Sequence, residues 1–206
     1  MATHAVTEWT VEDYLAYERA ARTKHEYYAG EIVAMSGVTL RHAAIVRNAS
    51  GFLFNALGDG PCKAYTSDVL IYAPVAELLA YPDLIVLCGE PKLLDAPIDT
   101  VLNPTVLIEV LSKSTEEYDR TIKLDGYRTL ESLQTYLLVA QDGQQIEAHQ
   151  RTADGWSVLV VTGPDGAVPL PALGLTLPLA AVYRGLDLPP ARPKRVMPEP
   201  RRPRRR

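Results

Sequence analysis

Cysteine is almost absent from this 206-residue chain, and the two present, Cys62 and Cys88, are too few for a disulfide framework. A chain of this length buries roughly 70% of its unfolded surface, so its core needs no covalent cross-links. The opening MATHAVTEW has no basic stretch leading into an apolar one, which excludes a secretory signal. Together these point to a reducing cytoplasm. No uncharged apolar run reaches the 18 or more residues of a membrane span. Internal repeats, Gly-rich phosphate loops and metal-spaced Cys/His clusters are also missing, which removes NTPases, Rossmann enzymes and zinc modules.

Positive charge is scarce over most of the chain. The net charge of −4 conceals a segment from Pro189 to Arg206 with eight Lys or Arg and one acid, a net +7, so the remainder carries −11. PPARPKRVMPEPRRPRRR is proline-rich and has no apolar face, so residues 189–206 read as a disordered basic tail on a single domain of residues 1–188. Such a tail serves either as a solubilising extension or as a non-specific contact to nucleic acid through counterion release.

What is present centres on Asn103 to Tyr127, NPTVLIEVLSKSTEEYDRTIKLDGY. Thr105 to Leu111 is a β-branched and aliphatic run opened by a proline, too short for a helix, and reads as a buried strand. Glu109 interrupts it, and burying an unpartnered carboxylate costs several kcal/mol, of the order found for any buried ion. Ser114 and Glu117 form a capping-box pattern opening a helix that places Asp119, Lys123 and Tyr127 on one face.

Along the rest of the chain, Thr10 caps a first helix, and Lys24 to Met35 reads as a hairpin turning at Ala29-Gly30. A second helix spans Leu40 to Leu57, with His42 near the start of its apolar stripe. Strands are expected at Ala64 to Tyr72 and Tyr81 to Cys88, with a polar loop from Glu90 to Leu102. An antiparallel meander follows at Thr135 to Ala140, Gln145 to Arg151 and Trp156 to Thr162, with Asp-Gly turns between its strands. Leu170 to Val182, broken by Gly and Pro, reads as loop and short helix. The whole is an α/β domain with a mixed β-sheet flanked by helices.

Asp83 and Glu109 stand on separate predicted strands, and Lys123 follows on a helix. If the strands are neighbours with those positions level, their hard oxygens suit Mg²⁺ or Mn²⁺, and Lys123 is placed to position a nucleophile or offset phosphoryl charge. Phosphodiester hydrolysis uses all three. Pro82-Asp83 followed by Glu109-Val110-Leu111 resembles the PD-(D/E)XK nuclease superfamily. The string IEVLSKSTEEYDRTIKLDGYRTL, together with HEYYAGEIVAMSG, SDVLIY and TYLLV, resembles the signature of the Uma-two family of restriction-endonuclease-like proteins, over roughly Thr7 to Tyr183. Leu111 stands where the superfamily lysine would be, and the resemblance assigns that role to Lys123. It also implies a restriction-endonuclease-like fold, Asp83 and Glu109 as metal ligands, a DNA substrate and a homodimer.

Further pocket candidates are Asp68, as a second acid near Asp83, and Glu31, preferred over Glu26 as an acid from the hairpin. His42 is placed to line the pocket, and Asp119 and Tyr127 share the face of Lys123. His25 and His149 read as surface residues. The leading function is therefore a Mg²⁺-dependent DNA endonuclease. The alternatives are a catalytically silent nuclease-fold binding or regulatory module, and a metal-dependent hydrolase of another phosphate ester.

Overall fold

The computed structural model describes residues 8–35, 37–94 and 99–189, so the basic segment from residue 190 onward lies outside the described residues. Helix α1 (Val11–Ala20) opens with a closed capping box between Thr10 and Asp13. The hairpin of β1 (His25–Tyr28) and β2 (Glu31–Ala34) turns at Ala29-Gly30, both with the positive φ that a two-residue type I′ turn requires. The apolar stripe over residues 40–57 forms α2 (Leu40–Leu57), burying Ile45, Ala49 and Leu53.

Of the two apolar runs expected as single strands, the first is divided and the second is shortened to β6. Ala64 to Tyr72 contains the end of β3 (Cys62–Thr66) and the start of β4 (Leu70–Ala73). Next come β5 (Leu78–Ala80) and β6 (Leu84–Cys88), with Tyr81-Pro82-Asp83 between them. β3 and β6 lie in one sheet, β4 and β5 in another, so the chain crosses between sheets at residues 67–69 and returns at residues 81–83. The loop after residue 89 contains the short strand β7 (Thr100–Val101), and β8 (Val106–Val110) follows, buried at every position.

The helical stretch after β8 also departs from expectation. It is built of α3 (Glu116–Tyr118), one π-helical turn at Asp119–Lys123, and α4 (Leu124–Arg128). Ser114 does not cap it. Instead the Ser112 hydroxyl accepts from the Thr115 N–H and the Ser112 carbonyl from the Glu116 N–H. The meander is present as β9 (Thr135–Val139), β10 (Gln145–Thr152) and β11 (Gly155–Thr162). Beyond it, the expected loop is a small hairpin of β12 (Ala167–Leu170) and β13 (Leu175–Pro178), leading into α5 (Leu179–Val182).

A six-stranded sheet runs β11-β10-β9-β8-β6-β3, and a five-stranded one runs β2-β1-β5-β4-β7. The meander extends the larger sheet, joined through the parallel pair β8–β9, while β6 lies antiparallel to β8. Because side chains alternate along a strand, β6 and β8 serve two cores at once. Leu84, Val86, Val106, Ile108 and Val110 pack with α2, the β12–β13 hairpin and α5. Ile85, Leu87, Leu107 and Leu111 face the other way, toward Ile71, Leu78, Leu124 and Tyr127. Helix α1 covers the outer side of the five-stranded sheet through Tyr14 and Leu15 against Tyr27, Leu70 and Leu79. Among the described residues no helix is long and apolar enough to cross a membrane.

The cysteine expectation is corrected: Cys62 and Cys88, directly opposed on β3 and β6, form a disulfide. The fold does carry a covalent cross-link, so the low cysteine count no longer argues for a reducing compartment. The two histidines expected at the surface are buried as well. Protonatable nitrogens cannot be buried cheaply without partners, and each has them: His25 contacts Glu18 at 2.9 Å, and His149 lies between Glu147 at 2.7 Å and Arg128 at 3.1 Å.

Gly126 sets how closely α4 approaches β5, since a Cβ there would sit 2.6 Å from Leu78 Cδ2 and 3.4 Å from Ala76 Cβ. Replacing it with valine forces α4 off the sheet and is expected to cost about 1–3 kcal/mol, as overpacking typically does. Urea unfolding of G126V against wild type measures the loss, with G126A falling between them because Leu78 can swing its methyl aside.

Candidate active site

Antiparallel pairing of Leu84 with Ile108 carries Asp83 to the position opposite Glu109, one residue before β6 and on the penultimate residue of β8. The two acids lock to one another's strands. The Asp83 N–H donates to Glu109 Oε2 at 3.3 Å, and the Val110 N–H donates to Asp83 Oδ2 at 2.7 Å. Pro82 allows the extended approach that delivers Asp83 here, at the point where the chain returns to the larger sheet.

Glu109 shares its face of β8 with Leu107 and Leu111, so it projects toward the helical segment, and Lys123 meets it there. Lys123 Nζ lies 3.0 Å from Glu109 Oε1, 2.9 Å from Glu26 Oε1 and 3.3 Å from Asp119 Oδ1. The π-helical turn brings Asp119 and Lys123 inward together, and Tyr136 pins the turn by donating to the Asp119 carbonyl. All four charged residues are buried, Lys123 being 4% exposed. On the opposite side, His42 of α2 places Nε2 3.0 Å from Asp83 Oδ1, while its Nδ1 is buried without a hydrogen bond.

One ammonium cannot neutralise three carboxylates. Burial pushes Glu109 well above the usual glutamate range; Lys123 pulls it back, and Asp119, Asp83 and Glu26 push it further up. Burial raises Glu26 and Asp119 in the same way, against the opposing pull of Lys123. Burial disfavours the charged form of Lys123, yet Glu109, Glu26 and Asp119 outweigh it and hold the amine well above its ordinary value. The lysine keeps its proton, while the carboxyl groups around it are pushed toward their neutral form.

These groups form the floor of an open cavity of about 1160 Å³. Asp83, Glu109, Lys123, Asp119 and His42 all line it, but Glu31, Asp68 and Tyr127 do not. Glu31 is exposed on the edge strand β2. Asp68 sits in the turn where the chain crosses between sheets and pairs with Lys24 at the surface. Tyr127 is fully buried, packed edge-on against Tyr136 with ring centroids 5.3 Å apart. The hairpin acid that reaches the site is Glu26, which also accepts from the Tyr81 N–H. Periodicity could have selected it: with Tyr27 turned toward α1, its neighbour Glu26 must point inward.

Arg120, not singled out from sequence, anchors the helical segment. It donates to Glu116 Oε1 at 3.0 Å and to Glu147 Oε2 on β10 at 2.7 Å. Since Arg128 donates to His149 Nδ1, the His149 Nε2–H is the donor to Glu147. Burial alone would raise Glu147, but the bonds from His149 and Arg120 prevail and hold it at about 2.

The donor chemistry fits a hard divalent cation. Asp83 and Glu109 bring carboxylate oxygens to one level, and Asp119 Oδ1, though 3.3 Å from Lys123 Nζ, is buried without a hydrogen bond. Among the described residues no three acidic, His or Cys side chains already form a metal-ligand cluster.

Residues 11–180 match the Uma2 family, whose description reads "Putative restriction endonuclease". Two Synechocystis sp. proteins are similar to the chain, both named as uncharacterized. Sll1609 is 32% identical over 160 residues, 77% of this chain and 90% of the relative. Slr1290 is 35% identical over 176 residues, 85% and 91% respectively. The fold is similar to the crystal structure of "a putative nuclease belonging to DUF820" from Anabaena variabilis, with a TM-score of 0.65, 18% identity, and coverage of 79% of this chain and 91% of that one.

Two expectations follow. Removing the Lys123 ammonium leaves buried carboxylates uncompensated, so K123M is expected to lose about 3–5 kcal/mol in chemical denaturation, and E109Q added to it to recover part of that. For Glu147, a folded value of about 2 lies below the ordinary 4.5, so its contribution is present above pH 4.5 and disappears as pH falls toward 2. Discounted for solvent screening of a partly exposed group, E147Q is expected to destabilise by about 1–2 kcal/mol at pH 7 and to match wild type near pH 2 in denaturant titrations.

Proposed function

The chain belongs to the Uma2 family, and from that membership and the carboxylate–lysine geometry we propose that it is a metal-dependent endonuclease hydrolysing phosphodiester bonds in DNA. The observation that carries this is the meeting of Asp83 and Glu109, level on neighbouring strands, with Lys123 on the floor of an open cavity. Asp83 and Glu109 would hold Mg²⁺ or Mn²⁺, which supplies an activated water and charge stabilisation at a phosphoryl oxygen. Lys123, kept protonated by its carboxylate neighbours, acts as a stabiliser of phosphoryl charge rather than as a base. Glu26 and Asp119 fix its position, and His42 fixes that of Asp83. Cutting both strands of a duplex calls for two such sites, which a homodimer would provide.

A second reading has its own support. With three carboxylates around it and 4% of it exposed, Lys123 also suits a nuclease fold retained as a binding or regulatory module without turnover. Supercoiled plasmid incubated with Mg²⁺ or Mn²⁺ separates the two. The nuclease reading expects nicking that EDTA, D83N and E109Q each abolish, and a K123A variant that binds metal by calorimetry yet cuts at least about 100-fold more slowly, the scale of losing one preorganised charge stabiliser. Metal binding that depends on Asp83 and Glu109 without any nicking by wild type would establish the silent module instead.

A further inference from the structure

Cross-strand partners in an antiparallel pair project from the same face of the sheet. Glu26 of β1 stands opposite Val33 of β2, so Val33 projects on the face from which Glu26 reaches Lys123. Met35, two residues on and with its N–H donating to the Lys24 carbonyl at 2.9 Å, keeps that face. Both line the cavity, as does Val38 just before α2, and these three are 55%, 36% and 63% exposed. Tyr118 of α3 also lines it, half-buried, with its ring centroid 5.6 Å from Lys123 Nζ. The charged floor is thus continuous with an apolar ledge that no described residue buries.

Such a ledge offers nothing to a phosphate backbone. Duplex DNA is held largely through phosphate contacts, many of them from Lys and Arg. Of the four such residues lining the cavity, Lys123 and Arg120 are held by carboxylates, which leaves Arg41 and Lys113, both exposed. The bases of a duplex are stacked inside it, whereas an unpaired strand presents a planar, weakly polar face beside every phosphate. The floor sets the same condition: Glu109 and Lys123 are each 4% exposed, so a phosphate must descend into the cavity to meet them. A single strand does so by rotating its backbone, while a duplex must first unstack.

We propose that the substrate of this site is an unpaired DNA strand, whose phosphate meets Asp83, Glu109 and Lys123 while the adjoining base lies against Val33, Met35 and Tyr118. This rests on the nuclease reading of the site and deepens it by naming the strand form that the site accepts. The ledge touches the face of the base, which all four bases share, so it separates unpaired from paired DNA without preferring a sequence.

The test is fluorescence anisotropy of the full chain, with Ca²⁺ in place of Mg²⁺, on three labelled probes: a thymidine oligonucleotide, the same strand annealed to its complement, and the same strand with abasic sites in place of the thymidines. Wild type is expected to bind the single strand at least about tenfold tighter than the duplex and to lose about tenfold on the abasic strand, the scale of one stacked base. V33S/M35S changes two exposed residues outside the charged cluster and is expected to bind the intact and abasic strands alike. A duplex bound as tightly as the single strand would overturn the proposal, as would equal binding of the intact and abasic strands by wild type, or no binding of any probe. Strand binding untouched by V33S/M35S, together with loss in that variant of a dimer that wild type forms in light scattering, would assign the ledge to a second copy of the chain and overturn it too. Cleavage of the same probes with Mg²⁺ keeps the two readings apart: equal cutting of single strand and duplex removes only the strand preference, whereas base-dependent binding of the single strand with no cutting by wild type removes the nuclease reading alone.

Discussion

Everything at the site turns on a shortage of positive charge. Glu26, Glu109 and Asp119 come from a hairpin, a central strand and a π-helical turn, and they converge on one ammonium. Each acid is held inside by the fold around it, and each is left partly uncompensated because the others compete for the same partner. Buried ion clusters of this kind add little net stability compared with an apolar replacement. Their retention here is a cost that the rest of the domain offsets.

The architecture explains how three distant segments reach one point. The larger sheet places β6 and β8 side by side with Asp83 and Glu109 level. The smaller sheet brings Glu26 in through β1, which pairs with β5 just before the chain crosses back at Asp83. Helix α4 is seated closely on β5 by Gly126, and the Arg120–Glu147–His149 series fixes the preceding π-helical turn, whose Asp119, Arg120 and Lys123 line the cavity, to β10. The cavity is therefore a product of the seam between two sheets rather than of any one loop.

Much of this was legible in the sequence, and the failures have identifiable causes. An acid inside a β-branched run announced Glu109, and the fourfold spacing of Asp119 and Lys123 put them on one face even though a π-helical turn, not a regular helix, carries them. The two strand boundaries at residues 67–69 and 81–83 were missed because an apolar run reads the same whether it stays in one sheet or passes to another. Asp68 was misplaced for that reason. Glu31 was preferred to Glu26 because its position at the start of a strand outweighed the alternation along β1 that turns Glu26 inward. The histidines at 25 and 149 looked peripheral because their partners, Glu18 and Arg128, come from other elements that a single sequence does not align with them.

The disulfide between Cys62 and Cys88 encloses both passages of the chain between the sheets, together with β4, β5 and Asp83. It closes a covalent ring whose root is the outermost strand of the larger sheet and whose far arc belongs to the smaller one. While the ring is shut, β3 cannot peel away to expose a bare edge to another chain. Opening it would release the outer strand first and leave the acid pair, at the next two strands inward, without the covalent frame beside it.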